Sequence, residues 1–127
     1  MSKRLKILLA EDDPFLVRYI QTLMSRWNCE LAVEQTGADA IRRAATFCPD
    51  TCLLGFVTPG IDGTQAGIEL LKVSPETQIV LFNESVPADM LSYLKARGYN
   101  FQALAVPFDE EELRDCCFPW LASKTSR

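Results

Sequence analysis

Short apolar runs alternate along the chain with segments whose apolar residues recur every three or four positions. Ile7 to Ala10 is a continuous apolar run and predicts a buried strand. Asp13-Pro14 follows, an aspartate placed to cap a helix and a proline suited to its first turn. Leu16, Ile20, Leu23 and Trp27 then recur at helical spacing and predict the inward stripe of that helix. Leu31 to Val33 predicts a short second strand. Thr36-Gly37 leads into a helix over Ala38 to Phe47, with Ile41, Ala44, Ala45 and Cys48 on one face and Pro49 ending it. Cys52 to Val57 is the longest near-apolar run, the pattern of a strand covered on both faces.

Thr58-Pro59-Gly60 predicts a turn, and Asp62-Gly63 precedes a third helix with Ile68 and Leu71 facing inward. Ile79 to Phe82 is a fourth buried strand. Pro87 starts a fourth helix containing Met90, Leu91 and Leu94, closed by Arg97-Gly98. Ala103 to Val106 is the fifth strand. Phe108-Asp109 opens an acidic last helix that uses Leu113, Cys117 and Leu121, which Pro119 should kink or break. Five β-α repeats with short buried strands predict an α/β fold, a five-stranded parallel sheet doubly wound by helices, over a single domain at residues 1–127.

Such a sheet puts its site at the carboxyl ends of the strands, by the switch in strand order. That directs attention to Glu11, Asp12 and Asp13, to Gly55 to Thr58, to Asn83-Glu84 and to Val106-Pro107. Three adjacent carboxylates repel one another and favour a hard cation, with magnesium the usual candidate. The alternative is solvated loop acids, with Asp13 merely capping.

Composition narrows the chemistry. The 127 residues are 48% hydrophobic and 24% charged, an ordinary globular balance, with a net charge of −4. An acidic chain lacks the basic footprint of a nucleic-acid binder. Its apolar runs are too short to span a bilayer, and the first ten residues do not read as a secretory signal. With no histidine there is no imidazole base, histidine metal ligand or phosphohistidine. Five cysteines without a CxxC point to free, mostly buried thiols and a cytoplasmic location.

Ile7-Leu8-Leu9-Ala10-Glu11-Asp12-Asp13-Pro14 resembles the opening of a response-regulator receiver domain. Pro49-Asp50-Thr51-Cys52-Leu53-Leu54 followed by Thr58-Pro59-Gly60-Ile61-Asp62-Gly63 is similar to that family's third strand and proline-containing loop, and Val106-Pro107-Phe108 to its motif after strand five. The resemblance runs from about residue 5 to residue 122 and implies a CheY-like (flavodoxin-like) fold in two-component, phosphorelay signalling. It also implies positions. Glu11 and Asp12 match the magnesium-holding acids. The phosphoacceptor aspartate is replaced by Gly55, the switch Thr or Ser by Asn83, the lysine by Val106 and the strand-five aromatic by Ala103.

Glycine cannot form an acyl phosphate, and valine brings no compensating charge. Magnesium is then expected to bind weakly or not at all, through Glu11, Asp12, the Val57 carbonyl and water, and no other cofactor is implied. An apolar neighbour at Val106 should raise a carboxylate pKa at Glu11 or Asp12.

The resulting expectation is a non-enzymatic pseudo-receiver that works by protein interaction. Its partner would be a sensor kinase, another regulator or a second copy in a homodimer. The surface implied by the family comprises Met90, Leu91, Tyr93, Leu94, Tyr99, Phe101, Trp120 and Leu121. Two alternatives stand beside it: a small-ligand or thiol redox sensor, and a receiver phosphorylated at an unusual acceptor such as Glu84.

Overall fold

Asp13 and Pro14 set the first corner of the chain. In the computed structural model, which describes residues 4–55, 57–58, 61–84 and 86–118, β1 (Leu5–Ala10) gives way to α1 (Pro14–Leu23). Asp13 has extended backbone, its carboxylate accepts the Phe15 N–H at 2.9 Å, and Pro14 opens the helix. After a 3-10 turn over Met24–Arg26 come β2 (Cys29–Glu34), α2 (Gly37–Phe47) and β3 (Thr51–Gly55). A two-stranded antiparallel hairpin, β4 (Val57–Thr58) and β5 (Ile61–Asp62), leads into α3 (Gly63–Val73). The chain continues through β6 (Gln78–Asn83), α4 (Ala88–Ala96), β7 (Gln102–Ala105) and α5 (Glu110–Cys117).

Five strands form one parallel sheet in the order β2-β1-β3-β6-β7, the predicted architecture. Successive strand side chains point to opposite faces, so the apolar runs feed two cores. Leu8, Cys52, Leu54 and Leu81 pack with Ala40, Ala44, Ala66 and Leu70 of α2 and α3. Ile7, Leu9, Leu53 and Val80 pack with Ile20 of α1 and Leu113 and Cys117 of α5. Each fully buried aliphatic side chain stabilises the fold by about 1.5–3 kcal/mol relative to exposure.

The amino-terminal rim of the sheet is closed by polar bonds. Asp50 accepts the Lys6 N–H on its carboxylate at 2.8 Å and the Gln78 N–H on its carbonyl at 2.9 Å. The Thr51 hydroxyl donates to the Cys117 carbonyl at 2.8 Å, tying β3 to the end of α5. The Thr77 hydroxyl donates to the Pro49 carbonyl at 2.7 Å and lies 2.6 Å from the Ser74 hydroxyl. Thr51, Ser74 and Thr77 are buried, and each is hydrogen-bonded, as buried polar groups must be.

Helix ends follow local chemistry. Gly98, at φ 93°, takes the left-handed conformation that closes α4, with Gly98 and Tyr99 N–H groups returning to the Lys95 and Leu94 carbonyls. Asp109 and Glu112 form a reciprocal capping box at the start of α5.

Several expectations need correction. α1 ends at Leu23, so Trp27 leaves the helical stripe and packs at a 59° tilt against Phe118, with ring centroids 5.5 Å apart. Ala45 is exposed, and Cys48, with φ 48°, is an exposed left-handed cap beyond α2 rather than part of its inward face. The third strand stops at Gly55, and Val57 pairs instead in the hairpin. Of the cysteines, Cys52 and Cys117 are buried, Cys29 and Cys116 half-buried and Cys48 exposed. Pro119, Trp120 and Leu121 lie outside the described residues.

Candidate functional site

Parallel pairing brings four strand ends together. Ala10 lies opposite Leu54, Gly55 opposite Phe82, and Asn83 opposite Ala105. Glu11, Gly55, Asn83 and Val106, far apart in sequence, therefore share the carboxyl edge of the sheet. Backbone bonds hold the edge: the Val106 N–H donates to the Asn83 carbonyl at 2.9 Å, and the Glu11 N–H to the Glu34 carbonyl at 3.0 Å. The Val106-Pro107 peptide is cis.

A cavity of about 260 Å3 opens there. Leu16 of α1, Phe82 and Val106 form its apolar walls; Glu11, Asn83 and Glu84 supply polar groups; Gly55 adds no side chain. None of these lining residues is basic. Glu11, half-buried, and Glu84, exposed, are the acidic residues of this lining.

Burial is the main cause that pushes the Glu11 carboxyl above its ordinary range. The neighbouring Asp12 and Asp13 charges and a hydrogen bond with Asp12 add to this, while the Asp13 N–H opposes it. That N–H donates to Glu11 Oε2 at 2.9 Å. The direction agrees with expectation, but desolvation of Glu11 and its acidic neighbours are sufficient causes.

Asp12 and Asp13 are exposed. The carboxylate of Asp13 is engaged in capping α1, and one oxygen of Glu11 already holds a backbone N–H. Among the described residues no three histidine, cysteine or acidic side chains gather as a metal cluster. Magnesium takes about six oxygens, several of them water, and Glu11 and Asp12 are the carboxylates that would supply the protein's share.

The predicted interaction surface is divided. Tyr93 is 57% exposed, with the Arg97 guanidinium 5.1 Å from its ring centroid. Met90, Leu91 and Tyr99 are partly buried against the first core. Leu94 and Phe101 are corrections: both are core residues, because Leu94 is the inward position of α4 and Phe101 packs on α3 against Gly67. Ala103 sits half-buried on β7, and its carbonyl accepts a contact from the Cys116 thiol.

Sequence reading did not single out Phe15 and Tyr19, which are 83% and 41% exposed on α1 beside the cavity wall. Their four-residue spacing, offset from Leu16 and Ile20, was the available signal. The Tyr19 hydroxyl also donates to the Phe108 carbonyl, joining α1 to the segment after β7. Burial pushes the thiols of Cys29, Cys52, Cys116 and Cys117 upward, away from the reactive thiolate.

The profile of the family described as "Response regulator receiver domain" matches residues 7–117. The chain is 26% identical over 125 residues to transcription factor SKN7 of Saccharomyces cerevisiae, covering 98% of this chain and 20% of that protein. It is 28% identical over 111 residues to response regulator ArlR of Staphylococcus saprophyticus, covering 85% of this chain and 48% of that protein. The chain thus spans half or less of these curated relatives.

Among solved structures, the receiver domain of sensor histidine kinase PA1611 from Pseudomonas aeruginosa PAO1 superposes with a TM-score of 0.78 at 25% identity. The match covers 94% of this chain and 99% of that one, and that protein carries a magnesium ion coordinated in its active-site cleft. The signal receiver domain of a LuxO repressor protein from Vibrio parahaemolyticus shares the fold, with a TM-score of 0.83 at 19% identity over 95% of this chain and 92% of that one.

Proposed function

This chain belongs to the family of response regulator receiver domains, and we propose that it acts within that family as a protein-interaction module that takes no phosphoryl group at the sheet edge. The observation that carries this reading is the cavity at the carboxyl edge, where β3 ends in Gly55. An acyl phosphate needs a carboxylate nucleophile, and glycine offers none. A transferred phosphoryl group needs positive charge. Here it would meet Glu11 and Glu84 beside the apolar Val106. With Gly55 bringing no carboxylate to the edge, magnesium would bind weakly and supply little of that charge.

The module would act in the cytoplasm on a sensor kinase, another regulator or a second copy, offering it Tyr93 of α4 and Arg97, which caps that helix. The raised thiols of Cys29 and Cys116 argue against a thiolate-based sensor at either residue.

Intact mass tests the central statement. The chain is incubated with magnesium and acetyl phosphate, beside a Gly55→Asp, Val106→Lys double variant. The expected result is an unchanged mass for the natural sequence and one added phosphoryl group for the variant. An added group on the natural chain overturns the reading, and peptide mapping would then look first at Glu84 and at residues 11–13.

A further inference from the structure

The first helix and the turn beyond it reach across to the segment after β7 at two points. The Tyr19 hydroxyl donates to the Phe108 carbonyl, and the two rings pack with centroids 5.8 Å apart. Two residues further along, Glu110 Oε2 accepts the Trp27 indole N–H at 3.0 Å. The same oxygen accepts the Arg114 guanidinium at 2.8 Å, and that guanidinium lies 5.7 Å from the Trp27 ring centroid. Trp27 also packs against Phe118, just past the end of α5. One indole therefore touches both ends of α5. Phe108 is buried, and it stands two residues after Val106, which walls the cavity and whose N–H donates to the Asn83 carbonyl. The short run from Val106 to Glu110 thus ties the cavity wall to α5, and both clasps on it come from the α1 side.

We propose that Tyr19 and Trp27 form a strap that couples the exposed face of α1 to the position of α5 and of the Val106 wall. In the closed state Tyr19 holds Phe108 and Trp27 holds Glu110. In the open state both donors bond to water, an exchange with a small net cost, so the two states lie close in free energy. Tyr19 is the handle: its ring is exposed on α1, one turn from the more exposed Phe15. A contact that favours a different setting of the Tyr19 ring opens the strap, by no more than its difference in affinity for the two states. The coupling is reciprocal, so a contact that displaces α5 alters the α1 face to the same extent. The strap stands on bonds outside the cavity and does not depend on whether the domain is phosphorylated.

Amide hydrogen exchange of the whole chain, read by NMR, tests it with two conservative variants. Tyr19→Phe keeps the ring against Phe108 and removes the donor. Trp27→Phe keeps a ring against Phe118 and removes the indole N–H. Each should speed exchange at Val106, Glu112 and Leu113 by about fivefold to tenfold, while the amides of α2 and α3 keep their rates. Tyr19→Phe should also move the Trp27 indole resonance, told from that of Trp120 by its loss in Trp27→Phe. The double variant should fall short of the product of the single effects by at least threefold, because either change opens the same strap. Unchanged exchange at these amides with an unmoved indole resonance in Tyr19→Phe, an equal acceleration in α2 and α3, or single effects that simply multiply would each overturn the proposal.

Discussion

Gly67→Ala puts a methyl group where α3 meets the ring of Phe101. A Cβ at residue 67 would stand 2.9 Å from Phe101 Cε2, 3.0 Å from Cζ and 3.2 Å from Ile79 Cγ2. Phe101 is 8% and Ile79 1% exposed, so neither can swing away into solvent without loss of packing. Overpacking of this kind costs about 1–3 kcal/mol. Alanine in a helix interior returns about 1 kcal/mol over glycine. The net expectation is a destabilisation of about 1 kcal/mol, seen in urea denaturation as a midpoint lower by about 0.5–1 M.

A double-mutant cycle locates the cause. In a Phe101→Leu background the ring edge is gone, and Gly67→Ala should become neutral or stabilising, giving a coupling of about 1 kcal/mol or more. If Gly67→Ala stabilises both backgrounds by the same amount, the placement of Phe101 inside the core is refuted. This bears on function, because a surface Phe101 would belong to a docking face.

Other expectations follow from single side chains. Glu11 holds its proton to higher pH in the fold than in the unfolded chain. The Glu11 contribution to stability should therefore be fully present below the unfolded carboxyl range and be lost as pH rises through the raised folded value. Glu11→Gln should remove that fall and raise the thermal midpoint at pH 7 but not at pH 3, as scanning calorimetry would register. Asp109→Ala breaks the α5 capping box and should cost about 1 kcal/mol in urea titrations. Iodoacetamide should label Cys48 first and leave Cys52 and Cys117 unmodified until urea unfolds the chain, as peptide masses would report. Early labelling at Cys117 would contradict its place against β3.

The central strands β1, β3 and β6 were legible because they are buried on both faces, and such strands appear as unbroken apolar runs. The positions of Glu11, Gly55, Asn83 and Val106 were legible for the same reason: each ends or follows a run, and parallel pairing puts run ends together. Periodicity failed where one face signal had two meanings. Leu94 and Tyr93 are adjacent on α4, yet one is buried and the other 57% exposed, a distinction set by the rotation of the helix on the sheet. Phe101 precedes β7, and its burial depends on the absence of a side chain at Gly67, a long-range fit with no local trace. Trp27 matched a helical stripe but lies beyond the 3-10 turn that ends α1.

The polar bonds on the amino-terminal rim of the sheet bear on mutational tolerance. Asp50, Thr51, Ser74 and Thr77 latch the layers at the end opposite the cavity. At the cavity end, the Val106 N–H donates to the Asn83 carbonyl, a backbone bond that requires no particular side chain at either position. These buried polar fasteners thus lie on the rim away from the candidate site, while the Tyr19 hydroxyl fastens α1 to Phe108 at the cavity end. A lineage with this layout can exchange the residues at Gly55, Asn83 and Val106 while the framework keeps its fasteners, so reactivity can drift while architecture persists.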